Sequence, residues 1–425
     1  MYDDELIRPW YEGLPIGLAQ IPLFDMHTHT GSNDPDRFTC SAEQVIDNLA
    51  AANSRGMVTP MHEPDGYPPA NDRVLAESAA SDGRLIAFCR LDPALDPVDE
   101  ARRCFDAGAR GIKLHPRAEG FGLRDPGIDE IFAFADEQRA PILIHAGRGI
   151  PALAFDAMML ARRYPGARVI LAHTAVTDLS WLWPELPRCP NVYIDSAWWN
   201  PTDLATLFAL VPPGQILYGS DLPYFTPFLI TTMVVRTALQ VGLDTDQLRG
   251  ILGGQGERVV AGEEPLDLGP APGPERLGLD ILLERIYVLL ILAIGRMLIG
   301  KSGYEALAMA RLACEVPEPG SRQGEVARHV LAILIRQEEF ARANPTDGAP
   351  LFPGIRLVML AAAVVRTADV ALPQIDDLAS IDALRNASKA GHREREEAEV
   401  ARPAIPTGDL RRSSATDVFV APGRD

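Results

Sequence analysis

The sequence predicts an α/β fold, a (β/α)8 TIM barrel followed by an α-helical C-terminal region and a polar tail. Between residues 22 and 225, a short apolar run, a polar or glycine break and a longer helix-like stretch recur eight times. The runs are almost continuously apolar, which is typical of parallel strands buried on both faces. Eight such units in about 250 residues match a closed barrel, whereas an open doubly wound sheet is disfavoured because no GxGxxG follows the first run. The eight runs are residues 22–29, 56–63, 84–92, 109–116, 140–147, 167–174, 191–198 and 215–221.

The barrel pattern ends at a stretch rich in proline and glycine. We therefore predict a barrel domain over residues 1–262 and a linker over 263–278. Apolar periodicity in residues 279–380 predicts a helical domain that we expect to dimerise. Its helices are expected at 279–299, 302–315, 324–341 and 354–371. Residues 381–425 are polar and are predicted to form a disordered tail.

Composition indicates a globular protein and excludes several classes of partner. The 425 residues are 47% hydrophobic, and their formal net charge of −18 disfavours binding to nucleic acid or to an anionic membrane. The five cysteines have no CxxC spacing, and the N-terminus has acids where a secretory signal would need positive charge. We therefore expect a cytoplasmic protein. The apolar stretch 280–300 contains three charged residues and is predicted to be a buried helix rather than a membrane span.

Polar side chains follow the predicted strands at their C-terminal ends, where barrel enzymes carry their active-site residues. Side chains alternate along a strand, so the pair on the first strand shares a face, as does the pair on the fourth. A zinc-type metal needs three or four N or O ligands, and packing imidazoles together without one leaves hydrogen bonds unmet. The pattern predicts a divalent metal centre, most simply zinc. Its candidate ligands are His27, His29, His145, His173 and Asp221, and Lys113 and His115 end the fourth strand at the same rim.

Five motifs in order along the predicted strands resemble the metal-dependent amidohydrolase superfamily. They are HTH, GIKLHP, IHAG, AHT and YGSDLPY, and the likeness covers roughly residues 20–260. The branch it resembles is amidohydrolase 2, which also contains enzymes similar to aminocarboxymuconate-semialdehyde decarboxylase. The closing segment of that family usually reads GGNA, whereas this chain has GGQG, with Gln255 at the asparagine position.

The resemblance implies a role for each matching residue. His27, His29, His145 and Asp221 would be metal ligands, and Asp221 would also accept a proton from the metal-bound water. His173 would be a ligand if two ions bind, or a hydrogen-bond partner of the substrate if one binds. Lys113 is either carboxylated and bridging two ions, or an ammonium that pairs with Asp221 or with a substrate carboxylate. These alternatives stay open at the level of sequence.

Three further residues are candidates for supporting roles. Asp25 lies two residues before His27, and either orients a ligand imidazole or fills the polar layer beneath it. His115 and Arg148 are candidate anchors for a substrate carboxylate, because a guanidinium binds carboxylate through two hydrogen bonds.

The function predicted from these residues is hydrolysis of an amide, lactam or ester bond of a small molecule by metal-activated water. Asp221, His173 and Lys113 are the expected catalytic residues. One alternative is nonoxidative decarboxylation at the same metal site. The other is a non-catalytic barrel with a helical interaction domain.

Overall fold

The structure, a computed structural model, describes residues 4–17, 21–147, 150, 153–344 and 351–374. Arg148 and the predicted polar tail of residues 381–425 lie outside these described residues. Each of the eight apolar runs contains a parallel strand, and the first run contains two short ones. The strands are β1 (Leu23–Asp25), β2 (His29–Thr30), β3 (Ser54–Pro60), β4 (Leu85–Arg90), β5 (Gly111–Leu114), β6 (Pro141–Ile144), β7 (Arg168–Leu171), β8 (Val192–Asp195) and β9 (Ile216–Leu217).

The strands are hydrogen-bonded in sequence order, β1-β3-β4-β5-β6-β7-β8-β9, and β2 also pairs with β3. Backbone hydrogen bonds then join the first strand to the last. The Met26 N–H donates to Tyr218 O at 2.9 Å, and the His29 N–H donates to Leu222 O at 2.8 Å. These bonds close the sheet, so the predicted TIM barrel is confirmed.

Helices separate the strands and cover the outside of the sheet, as parallel connections require. Those of the barrel are α1 (Asp4–Glu12), α2 (Ala42–Ala51), α3 (Pro68–Ala80), α4 (Pro97–Asp106), α5 (Pro116–Glu119), α6 (Ile128–Gln138), α7 (Leu153–Arg163), α8 (Leu179–Leu182), α9 (Pro201–Leu210), α10 (Pro227–Gln240), α11 (Thr245–Arg249) and α12 (Gln255–Val260). None of the helices among the described residues is long and apolar enough to cross a membrane.

A cluster of apolar side chains, whose members lie between residues 24 and 259, fills the barrel interior. It contains Phe88, Leu143 and Tyr193, from β4, β6 and β8. Because side chains alternate, the residues two positions further along these strands point to the same interior at the C-terminal rim. That rule places Arg90, His145 and Asp195 directly above the core.

The C-terminal region forms four helices at the positions that periodicity predicts. They are α13 (Ile281–Met297), α14 (Tyr304–Ala313), α15 (Arg322–Ala343) and α16 (Ile355–Arg366). Helix α16 is buried from Ile355 to Val365 and packs against α9 and α10 of the barrel as well as α13 and α15. Arg236 of α10 donates to the carbonyls of Thr367, Val370 and Ala371 just beyond α16. This guanidinium thus links α10 to the segment that follows α16.

The predicted linker packs on the barrel through Gln255, the residue that replaces the asparagine of GGNA. Its amide donates to Gly214 O and accepts from the Leu266 N–H at 2.8 Å. The Gln255 side chain therefore connects the loop at Gly214 to the predicted linker at Leu266. Whether the barrel and the helical region are separate domains stays a prediction.

Candidate functional site

Two histidines and one aspartate meet at the C-terminal rim of the barrel. His27 Nε2 lies 3.4 Å and His29 Nε2 lies 3.3 Å from the same oxygen, Asp221 Oδ1. All three side chains are buried, and one N or O atom of each lies within 4.8 Å of the others. His27 lies on the loop between β1 and β2, His29 lies on β2, and Asp221 lies on the loop after β9. The barrel fold predicts that these positions meet at one rim.

The backbone of Asp221 is held in an unusual conformation. Its φ is +58°, in the left-handed region that costs a non-glycine residue about 1–2 kcal/mol. The Asp221 N–H donates to His27 O at 2.8 Å, and Asp221 O accepts from the Tyr224 N–H at 2.9 Å. Such strain persists where surrounding contacts over-determine it, which is typical of functional sites.

Asp195 at the end of β8 orients the first histidine. Its Oδ2 accepts a hydrogen bond from His27 Nδ1 at 2.8 Å, while its Oδ1 accepts from the backbone N–H groups of His173 and Ala197 at 2.7 and 3.0 Å. With the proton held on Nδ1, the lone pair of His27 Nε2 points toward Asp221 and Lys113. This is the tautomer that a metal ligand needs.

The sequence did not single out Asp195, although it lies in the seventh apolar run, 191–198, and ends β8. Asp25, which we considered for the same task, instead accepts from the backbone N–H groups of His27 and Ser220 at 3.1 and 2.9 Å. Asp25 therefore orients two backbone N–H groups rather than an imidazole ring. Its position at the C-terminal end of a strand is the sequence signal by which Asp195 could have been identified.

Lys113 lies in the same group of side chains. Its Nζ is 3.0 Å from His27 Nε2 and it is fully buried. Burial lowers the pKa of Lys113 to about 8, and the nearby Asp221 carboxylate opposes this shift. In turn, burial raises the pKa of Asp221, and Lys113 counteracts that rise.

His145 and His173 form a second pair beside the first group. His173 Nδ1 lies 3.0 Å from Ala197 O and donates to it, so His173 Nε2 accepts from His145 Nδ1 at 3.0 Å. The ring of His173 is 5.0 Å from that of His27, and its Nδ1 is 3.9 Å from Asp221 Oδ2. His145 thus reaches the His27, His29 and Asp221 group through His173, and the role of His145 as a ligand stays a prediction.

A left-handed turn places His173. The φ angles of His173, Thr174 and Ala175 are +58°, +57° and +47°. Three consecutive left-handed residues are costly, and the Asp195 bond to the His173 N–H helps to hold them. Asp195 therefore supports both His27 and His173.

His115 stacks on His145, with ring centroids 3.9 Å apart and planes 10° apart. Its Nδ1 accepts from the Ala118 N–H at 3.2 Å and so caps the short helix α5. Burial lowers the pKa of His115, so the ring is neutral. Its role as a substrate anchor stays a prediction, as does that of Arg148, which lies outside the described residues.

A buried ion pair that the sequence did not reveal lies along the rim. Arg90 Nη2 donates to Glu119 Oε1 at 2.6 Å, and the Tyr67 hydroxyl donates to the same oxygen at 2.5 Å. Arg90 is paired in register with Lys113 on the neighbouring strand. Breaking a pair this buried is costly because it leaves an uncompensated charge.

Two aromatic rings stand beside the histidines. Trp198 lies 6.1 Å from the ring of His173, and Tyr224 lies edge-on to His29 at 5.9 Å. The Tyr224 hydroxyl donates to Asp34, which fixes the ring.

The residues present suit a divalent cation. Burial lowers the pKa of both His27 and His29 well below the usual value, so both imidazoles are neutral, the form that binds metal. His29 Nδ1 is a buried atom with no hydrogen-bond partner among the described residues. Two imidazoles and a carboxylate make a donor set accepted by zinc, manganese, iron and cobalt.

The barrel region matches a known protein family. The family model described as amidohydrolase matches residues 24–260, more than half of the chain. Among curated proteins, none matches significantly.

Several solved structures are similar to the barrel. The Metarhizium anisopliae IDCase is 16% identical (TM-score 0.45), with 58% of this chain and 99% of that chain covered. The 5-carboxyvanillate decarboxylase of Sphingomonas paucimobilis is 14% identical (TM-score 0.46), with 57% and 99% covered. A dihydroxybenzoic acid decarboxylase of Polaromonas sp. JS666, solved with bound manganese and the inhibitor 2-nitroresorcinol, is 13% identical (TM-score 0.44), with 57% and 96% covered.

The family match confirms the resemblance seen in the five motifs and extends over the whole barrel. A metal-dependent enzyme, a hydrolase or a decarboxylase, is what such a match supports. The chain belongs to the amidohydrolase family.

Proposed function

We propose that this enzyme hydrolyses an amide, lactam or ester bond of a small molecule. The observation that carries the proposal is the position of the Asp221 carboxylate. One of its oxygens lies against the Nε2 atoms of His27 and His29, and the other faces His173. Hydrolysis needs a proton acceptor next to the attacking water and a donor next to the leaving group, and one carboxylate in this position serves both.

His27, His29 and Asp221 would hold the cation, and zinc is the ion we propose. A bound divalent ion supplies a water of lowered pKa, about 7, and polarises the carbonyl under attack. The family is metal-dependent, and the buried donor set described above supports a divalent cation in this position.

The side chains of this enzyme would transfer the proton of the attacking water and stabilise the negative charge that develops on the substrate. Asp221 would accept a proton from the attacking water and return it to the leaving nitrogen or oxygen. The Lys113 ammonium, 3.0 Å from His27 Nε2, offers a positive charge to the developing oxyanion. Asp195 keeps His27 in the tautomer whose Nε2 lone pair faces the site.

Isotope labelling distinguishes hydrolysis from its main alternative. The zinc-loaded enzyme would be incubated with a panel of amides, lactams, esters and aromatic carboxylic acids in water enriched in ¹⁸O. We expect one ¹⁸O atom in the new carboxylate of an amide, lactam or ester product. Release of CO₂ from an aromatic acid, with solvent hydrogen on the product carbon and no turnover of the other substrates, would instead show a decarboxylase.

A matched pair of variants links the activity to the site. Asp221→Asn is expected to lower kcat at least a hundredfold, since an amide cannot accept the proton. Asp129→Asn is the same change at an exposed residue of α6 that pairs with Arg163, and it should leave activity unchanged. Equal activity of both variants would contradict the proposal.

We further propose a single ion per chain, with Lys113 as an ammonium. The described residues contain one group of ligand atoms close enough to bind a metal, and Lys113 lies beside Asp221 as a counter-charge. Metal content would be measured with and without bicarbonate in the wild type and in Lys113→Ala. One ion throughout is expected, whereas two ions that fall to one in the variant would establish a carboxylated, bridging lysine.

The association of two copies stays a prediction. Three apolar side chains are exposed along α13, namely Ile281, Val288 and Leu292, and Ile299 is exposed just beyond its end. Sedimentation velocity of the full chain measures the oligomeric state directly.

A further inference from the structure

The C-terminal helical region contacts the loop that follows Asp221. The Arg356 side chain, in the first turn of α16, donates from Nη2 to Pro223 O at 3.2 Å and to Tyr224 O at 3.1 Å. Arg356 is 7% exposed. It lies almost a hundred residues beyond residue 260, where the match to the family ends.

A second contact from the same segment reaches the same loop. Leu351 packs against the apolar cluster that contains Leu222, Phe38 and Met61, and Tyr224 packs against that cluster as well. Residues 351–356 therefore reach the loop directly through Arg356 and share, through Leu351, an apolar cluster with Leu222 and Tyr224. Neither contact depends on the other.

The loop controls the position of both proposed ligand histidines. His29 donates its backbone N–H to Leu222 O, and Asp221 donates its own to His27 O, each at 2.8 Å. The Tyr224 ring stands edge-on to His29. A shift of residues 221–224 would therefore move the Asp221 carboxylate and the support of His29 together.

We propose that Arg356 is a positioning residue for the metal site and that the segment 351–356 completes the rim of the active site. Two hydrogen bonds from one guanidinium fix the directions of two successive carbonyls, and charge assistance makes such bonds stronger than neutral ones. Through them, Arg356 holds the left-handed Asp221 and the Tyr224 ring. This inference rests on the proposed function, because it assumes that Asp221 is a ligand.

Two substitutions in α16 test the proposal. Arg356→Met removes the donors while it keeps most of the side-chain volume. Arg366→Met makes the same change in the last turn of the helix, where Arg366 pairs with Glu284 at 2.8 Å and stacks on Tyr287. Zinc affinity would be measured on the full chain by competition with a chelator, and the melting temperature would be measured without metal.

Arg356→Met is expected to weaken zinc binding about tenfold, as loss of an outer support of a ligand does. Its kcat should fall more than its KM rises. Arg366→Met should lower the melting temperature to a similar degree while its zinc affinity stays within about twofold of the wild type. Arg356→Lys, which keeps one charged donor, should bind zinc with intermediate affinity and covers the case in which Arg356→Met does not fold.

The outcomes separate the two proposals. If the wild type binds no divalent ion, the proposed function fails. If the wild type binds zinc and Arg356→Met binds it as tightly, or if Arg356→Met does not fold and Arg356→Lys binds it as tightly, the positioning role of Arg356 is refuted while the proposed function stands.

Discussion

Asp195→Asn tests whether the tautomer of His27 decides metal binding. In the wild type, Asp195 Oδ2 accepts from His27 Nδ1 at 2.8 Å, and Oδ1 accepts from two backbone N–H groups. In the variant, the amide oxygen keeps the two backbone bonds, so the amide nitrogen faces His27. Since that nitrogen is a donor, His27 must accept at Nδ1 and carry its proton on Nε2. The ligand lone pair is then lost from the side that faces Asp221 and Lys113.

The expected loss in zinc affinity is ten- to a hundredfold, or about 1.4–2.8 kcal/mol, as for other hydrogen-bond partners of ligand imidazoles. Stability without metal should change by less than about 1 kcal/mol, because one hydrogen bond is exchanged while a buried charge is removed. Burial raises the pKa of Asp195, which shows that the charge is costly in this position. The variant thus separates metal binding from folding.

Zinc affinity would be measured by chelator competition, and the position of the proton on His27 by ¹⁵N NMR. Asp178→Asn is the matched control, because Asp178 is also buried and accepts from the Ala154 N–H and from Trp181 Nε1. Wild-type zinc affinity in Asp195→Asn, or a proton that remains on Nδ1, would refute the reasoning.

Three further predictions concern stability and the packing of the site. Burial raises the pKa of Asp25 to about 7, so its stabilising contribution is complete below about pH 4 and is lost as the pH rises through 7. Asp25→Asn should therefore be stabilising relative to the wild type at pH 8 but not at pH 4, and urea unfolding that shows the same difference at both values would contradict this. Gly219→Ala would place a Cβ 2.9 Å from that of His27. It is expected to cost about 1–3 kcal/mol and to weaken zinc binding, which urea unfolding and chelator competition check. Arg236→Met leaves three carbonyls near α16 without their donor, and we expect urea unfolding to show a loss of about 1–3 kcal/mol for each carbonyl that stays buried and unpaired, with a total loss under 1 kcal/mol arguing against it.

The barrel and most members of the site can be predicted from the amino-acid sequence alone. Eight apolar runs predict eight strands, and the C-terminal ends of parallel strands lie at one rim, so His27, His29, Lys113 and Asp221 could be expected to meet. This holds because strand alternation and the order of a parallel barrel are local rules that a single chain displays. The amidohydrolase motifs lie at these same strand ends.

The hydrogen-bond partners within the site, in contrast, follow from the tertiary structure and could not be predicted from the sequence. The bond from Asp195 to His27 joins residues 168 positions apart, and that from Arg356 to Pro223 joins residues 133 apart. The choice of Asp195 over Asp25 depends on whether the carboxylate faces an imidazole or a backbone N–H, a matter of a few ångströms. The same holds for His145, which contacts His173 rather than Asp221. These contacts depend on barrel closure and on the packing of α16, which set the distances between segments far apart in the sequence. Residues so far apart produce no periodic pattern from which their contact could be predicted.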